Sequence, residues 1–344
     1  MSVIYIKEQG ALVQKSGERL TITKNGKMLL EMPVLQAENV SLIGNVQITA
    51  QAMHMLMEHG VDISHFSYGG KYIGHTAAES SKNIFLRFAQ YQYYLNEGER
   101  LKMAKAIVDN KIKNQIFIIK SHRWTGSNYD WHPDVAQMEK YRDSLEKRGT
   151  PNEILGTEGI CSNIYFGVFG KMLKGDILFS GRNRRPPKDP ANAMISLTYT
   201  FLTKEICTAL DSESFETYLG FLHGIRYGRK SLALDMVEEF RQPVADRFVL
   251  QMFNKRIIHI YDFEFIDNGG VYLTEDGFRK FCLEYEKWMS GKNSASGEKS
   301  FRGCIRKQVS MLKKAICENK VYYPYSWEKA RCTSDTDSRA EACM

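Results

Sequence analysis

Near Thr76 the hydrophobic pattern changes its period, and that change limits the possible folds more than any motif does. Before it, short runs rich in β-branched residues alternate with turn residues. Ser2 to Ile6, Leu20 to Thr23, Lys27 to Pro33 and Val40 to Ile43 all read as strands, and Asn25-Gly26 is a strong two-residue hairpin signal. Thr49 to His59 breaks the pattern as one helix, capped by Thr49 and ended by Gly60. Val61 to Ser67 and Lys71 to Gly74, separated by Gly69-Gly70, read as a further hairpin. Beyond Thr76 the apolar spacing turns helical. The expectation is an α+β chain: a small β-sandwich-like N-terminal domain with one helix over residues 1–76, then a larger, mainly α-helical domain over 80–328. The tail, 329–344, is polar and reads as disordered.

In the helical part, Ser80 to Asn96 places Ile84, Phe88, Tyr91 and Leu95 on one face. Glu99 to Arg123 offers Met103, Ala106, Ile107, Ile116 and Ile119 as core positions. Lys102, Lys105, Lys111, Lys113, Lys120 and Arg123 dot that second stretch, as a solvated face or a phosphate-binding one. Val135 to Arg148, Asp211 to Leu222, Pro243 to Ile260, Thr274 to Met289 and Phe301 to Asn319 read as further helices, with Ser290 to Lys299 a mobile linker. Asp189-Pro190 is a helix start, aspartate capping and proline at the first turn. Before it lies a basic, proline-stiffened loop with Arg182, Arg184, Arg185 and Lys188, suited to phosphate or to plain surface charge.

A formal net charge of +7 and a pI near 8.9 favour an anionic partner such as nucleic acid. The 7 cysteines include no CxxC pair, which reads as reduced intracellular thiols. No secretory signal and no membrane-length apolar stretch is apparent, so a cytoplasmic location is expected. Dinucleotide, P-loop, zincin and nucleophile-elbow motifs are lacking.

Chemistry gathers between His223 and Arg241. If Ser231 to Arg241 is helical, Ala233, Met236, Val237 and Phe240 form a buried stripe. Asp235, Glu238 and Glu239 then fall on an exposed edge near His223. Carboxylates beside an imidazole suit Mg²⁺, Mn²⁺ or Zn²⁺, while a lone histidine is equally a packed polar group. Glu158, among Ile154, Leu155, Ile160 and Ile164, is either a ligand or a helix-start carboxylate favoured by the macrodipole.

The run YGRKSLALDMVEEFR, Tyr227 to Arg241, preceded by FLHG at Phe221 to Gly224, resembles a signature of the CRISPR spacer-acquisition integrase family, the CRISPR-associated endonucleases of the adaptation complex. RRPPKDPANAMISLTYT (Arg184 to Thr200) and TEGICSNIYFG (Thr157 to Gly167) resemble two more of its signatures. The resemblance runs to about residue 328 and implies that Glu158, His223 and Glu238 ligate Mg²⁺ or Mn²⁺. It implies a supporting role for Asp235 and DNA contacts for Arg241 and Arg226. Arg182, Arg184 and Arg185, then Arg302 and Arg306 on the helix that runs on to Lys314, are the basic groups expected to hold DNA backbone. Thr198, Cys161, Ser162 and Glu238 are small departures from the family pattern, and none removes a ligand.

The implied reaction inserts foreign DNA as new spacers: a 3′-hydroxyl of a captured fragment attacks a phosphodiester at the edge of a CRISPR repeat. The implied partners are double-stranded and branched DNA, prespacer and repeat. The resemblance also implies a homodimer joined through residues 1–76 and a small ferredoxin-like adaptation partner in a heterohexamer. The alternatives are a structure-specific nuclease acting on branched intermediates and a non-catalytic DNA-binding scaffold whose acidic cluster is structural.

Overall fold

The computed structural model describes residues 2–78, 83–124, 128–175, 177–183, 186–266, 269–291 and 300–328. Arg184, Arg185, the linker core 292–299 and the tail 329–344 lie outside the described residues. The chain divides into two compact units, Met1–Lys82 and Asn83–Met344.

The first unit holds two four-stranded sheets. In one, β1 (Ser2–Ile6) pairs parallel with β5 (Ala37–Ile43), which pairs parallel with β7 (Asp62–Phe66), while β8 (Tyr72–Thr76) closes the sheet antiparallel. The other runs β4 (Lys27–Pro33), β3 (Arg19–Lys24), β2 (Leu12–Ser16) and β6 (Gln47–Ile48). The β3–β4 turn uses Asn25 at φ 50° and Gly26 at φ 75°, the paired positive angles for which Asn-Gly is suited. Helix α1 (Ala50–Glu58) starts with Thr49 Oγ1 accepting from the Ala52 amide and adds Met55 and Leu56 to a core of Val13, Leu20, Val40 and Ile63. Strands β2 and β6 were not foreseen: LVQKS alternates weakly and β6 has only two residues.

The second unit is helical. Its long helix α3 (Glu97–Ser121) packs against α2 (Ile84–Leu95), α4 (His132–Asp143), α5 (Pro151–Met172) and α7 (Ser231–Phe240). Helix α6 (Pro190–Ser212) packs on α7, α8 (Arg247–Asn254) and α10 (Phe301–Cys317). A small hairpin, β9 (Phe263–Phe265) and β10 (Val271–Leu273), precedes α9 (Glu275–Ser290). As expected, Asp189 caps α6 with Pro190 at its start.

Three helix expectations are corrected. The apolar face of α2 is on the surface, with Phe88 63% and Leu95 75% exposed, whereas Leu86 and Gln90 are buried. Residues 213–230 form turns rather than a helix, because side chains claim the backbone there. Gln90 bonds the amide of Glu216 and the carbonyls of Glu216 and Leu219, and Asp235 bonds the amides from Phe221 to His223. The chain after α7 continues without a break through a π-helical turn, Arg241–Asp246, into α8. Pro243 has no N–H to return to the Glu239 carbonyl, and the Asn114 side chain supplies the missing donor at 3.1 Å.

A strap follows α10. Tyr325 O accepts from Asn110 at 2.8 Å and Asn114 at 3.1 Å, and the Trp327 amide donates to Asn114 Oδ1 at 3.1 Å. The Tyr322 hydroxyl and the Tyr325 amide both donate to Glu239, at 2.6 and 2.8 Å. The segment therefore ties α3 to α7.

Candidate metal centre

Helix α5 begins at Pro151, capped by Thr150, so Glu158 lies in its third turn and the helix-start reading fails. Ser162, one turn further, donates to Glu158 Oε1 at 2.7 Å. The facing helix α3 directs Lys111 at the same oxygen, where the two form an ion pair. The Lys111 ammonium also lies 2.6 Å from Glu238 Oε2, with the lysine side chain only 2% exposed. From the π turn, Arg241 Nη1 reaches Glu238 Oε1 at 3.1 Å. Burial alone would raise the Glu238 carboxyl, but the Arg241 and Lys111 charges outweigh it and hold it at about 2. Glu238 is therefore an anion throughout the physiological range.

His223 stands within the turns that precede α7. Asp235, fully buried, takes the His223 Nδ1 at 2.7 Å and the His223 amide at 3.0 Å on one oxygen. Its other oxygen takes the amides of Phe221 at 2.5 Å and Leu222 at 2.9 Å. With Nδ1 held by a carboxylate, the Nε2 lone pair is the one offered outward, the usual arrangement of a ligating imidazole. A Cβ on Gly220 would sit 2.7 Å from Asp235 Oδ2, so only glycine lets the turn close over this carboxylate. His223 is near enough to Glu238 for its charge to act on that carboxyl.

Glu158 and Glu238 thus meet at the Lys111 ammonium from two helices, and His223 acts on Glu238 from the turns before α7. Among the described residues no three His, Cys, Asp or Glu side chains form a ready ion-binding cluster; the Lys111 ammonium lies between the two glutamates. The donor types are nonetheless those a divalent ion takes. Glu238 Oε2 is buried and makes no aligned hydrogen bond despite its distance to Lys111, and two carboxylates with one oriented imidazole suit Mg²⁺ or Mn²⁺. Glu158 and His223 keep 20% and 21% side-chain exposure against 4% for Glu238, so the site opens on their side.

Several expectations change. Helix α7 has no exposed acidic edge: Asp235, Glu238 and Glu239 are all buried. Asp235 has no oxygen to spare for an ion, so it orients His223. Glu239 is no bystander: it accepts the strap's two hydrogen bonds, and burial pushes its carboxyl up to about 8. Arg302 is corrected from DNA contact to core residue, since it is 5% exposed and makes paired bonds of 2.7–3.1 Å to Glu205 and Glu286. Arg182 folds back on α6, bonding Asn192 at 2.9 Å and Ser196 at 3.0 Å. Arg182 and Arg241 both lie on the Tyr199 ring, 5.6 and 4.8 Å from its centroid, so both are held by the protein rather than displayed outward. Arg226 and Arg306 are exposed.

Lys111 is the residue that sequence reasoning missed. It was grouped with surface lysines, yet it sits one turn from Ile107 and beside Ile112, both buried. A lysine in the apolar register of a helix was the available signal.

A β-rich unit leads into a helical unit that gathers two glutamates, a carboxylate-held histidine and two inward cations, and these features define the class of protein. The chain belongs to the family described as CRISPR associated protein Cas1, whose model matches residues 4–287. It is 33% identical over 291 residues to a CRISPR-associated endonuclease Cas1 from Thermus thermophilus, covering 83% of this chain and 84% of that one. A casposase bound to integration product has the same fold, at TM-score 0.82 and 24% identity over 95% of this chain and 93% of that one. So does a chain of a Cas6-RT-Cas1–Cas2 complex, at TM-score 0.80 and 24% identity, covering 95% of this chain and 36% of that one.

Proposed function

We propose that this protein is a divalent-metal-dependent DNA endonuclease and integrase that inserts foreign fragments into a CRISPR array. The observation that carries the proposal is the meeting of Glu158 and Glu238 at the Lys111 ammonium, with His223 close enough to act on Glu238 and Asp235 buried behind the histidine. These three residues would hold one Mg²⁺ or Mn²⁺, which supplies Lewis acidity to the scissile phosphodiester and lowers the pKa of the attacking hydroxyl. Asp235 fixes the imidazole. Arg241, anchored on Glu238 and the Tyr199 ring, would add positive charge to the site from behind Glu238. A 3′-hydroxyl forms one phosphoester bond as another breaks, and water in its place gives a nick.

The membership in the Cas1 family and the endonuclease name of the Thermus relative support this reading. The integration product of the casposase and the Cas2 in the named complex support DNA and a small Cas2-like protein as partners. A homodimer through residues 1–76 belongs to the same proposal. Arg226 and Arg306, exposed, join Arg184 and Arg185 as the basic groups proposed to meet DNA backbone. Among the described residues no helix is long and apolar enough to cross a membrane, and the proposed location is cytoplasmic.

The test is a strand-integration assay with Mn²⁺ on Glu158→Ala and His223→Ala. Loss of joined product supports the assignment, and wild-type activity in either variant overturns it. Nicked products without any joined ones from the wild-type protein favour a structure-specific nuclease.

A further inference from the structure

Lys111 carries its ammonium into the core of the candidate site. Its ammonium is buried and lies between the two carboxylates proposed to bind the metal, one of which has an oxygen with no aligned hydrogen bond. Taken alone, Glu158, Glu238, Lys111 and Arg241 are charge-balanced: two anions and two cations packed within ion-pair distance. Adding a divalent cation to the two carboxylates would leave that set doubly positive, facing the side where Glu158 and His223 are open. A divalent ion and an ammonium cannot share one lone-pair direction of a carboxylate oxygen, so at Glu158 Oε1 and Glu238 Oε2 the two compete.

We propose that Lys111 is the internal counter-ion of the site: it competes with the divalent cation for Glu158 and Glu238, and the incoming ion releases its ammonium to pair with a phosphate oxygen of DNA. The inference rests on the metal reading of the site. Its chemistry is that of a lysine held by its helix but free along its four-carbon stem. Residues Ile107, Val108 and Ile112 fix that stretch of α3 in the core, so the ammonium can move only over the length of its own side chain. The metal-free protein keeps its carboxylates compensated, and the site becomes attractive to a phosphodiester only once the ion is bound.

The experiment measures Mn²⁺ binding to the full chain by electron paramagnetic resonance, alongside Tm with and without Mn²⁺. Lys111→Met is expected to bind Mn²⁺ about tenfold tighter than wild type or more, since a competing positive charge is gone. Its metal-free Tm should fall, its Mn²⁺-induced rise in Tm should exceed that of wild type, and its DNA joining should drop despite the tighter ion. A lysine that merely supports the fold predicts the opposite: equal or weaker Mn²⁺ binding in Lys111→Met, while Glu238→Gln abolishes binding, overturns the proposal. If Glu238→Gln binds Mn²⁺ as wild type does, the metal reading fails as well, so the two failures are separable. Where loss of the ammonium costs the fold, Lys111→Met/Glu238→Gln gives a second reading. Removing both charges should restore Tm above that of Lys111→Met, and a Tm no higher overturns the counter-ion role.

Discussion

Asp235→Asn is the sharpest single perturbation of this site, because the change is nearly isosteric and its consequences can be counted. The carboxylate accepts four hydrogen bonds, two on each oxygen, three from backbone amides and one from the His223 ring. Asparagine keeps one acceptor oxygen and turns the other position into a donor, facing two N–H groups if it lies on the Oδ2 side. Leaving two buried amides unsatisfied costs about 1–3 kcal/mol each, so a loss of about 4 kcal/mol is expected. For a helical unit of this size that lowers Tm by about 10 °C. If the asparagine amide turns toward His223 instead, it donates to Nδ1, placing the ring proton on Nε2 and removing the lone pair proposed for the ion. Loss of such an outer partner costs about 10- to 100-fold in metal affinity. The assay is scanning calorimetry together with Mn²⁺ titration of the folded variant well below its Tm. An Asp235→Asn protein with wild-type Tm and wild-type Mn²⁺ affinity would refute the argument that this carboxylate positions His223.

Other outcomes follow from the same geometry. Arg302→Ala should destabilise by about 3–5 kcal/mol, because it strands Glu205 and Glu286 without their shared partner. Arg306→Ala, at an exposed position, should stay within about 0.5 kcal/mol of wild type by urea denaturation. The carboxyl of Glu239 is raised to about 8 by burial from its ordinary 4.5, so the folded protein binds this proton more tightly than the unfolded chain does. Its favourable contribution is complete below pH 4.5 and is lost as pH rises toward 8. Glu239→Gln should therefore flatten the fall in Tm between pH 5 and 8, and an unchanged slope would count against the raised value.

The β-part of the fold was legible because Asn25-Gly26 and the alternating runs around it encode local geometry directly. Its two sheets were less so, since a strand as short as β6 is defined only by its neighbour. In the helical unit the apolar pattern located α3, α4, α9 and α10, and the Asp189-Pro190 start located α6, but the pattern misjudged α2, whose apolar face stays outside. It also missed the turns before α7, where Asp235 and Gln90 replace helical hydrogen bonds with side-chain ones. No window on the local sequence reveals that competition. The three proposed ligands were readable through family resemblance, whereas the inward cations were not. Arg302 and Arg306, one helical turn apart, have opposite fates: Arg302 is buried between Glu205 and Glu286, while Arg306 stays exposed.

The strap has a consequence in time. Its Trp327 amide meets Asn114 across 213 residues of chain, and its tyrosines hold the helix that carries Glu238. At about 5–20 residues per second of synthesis, Asn114 waits roughly 10 to 40 s before its partner exists. Until then α3 and α7 meet through Lys111 and Asn114 without the strap's added hydrogen bonds. The helix that carries Glu238 is therefore clasped by Tyr322 and Tyr325 only after those residues have been made.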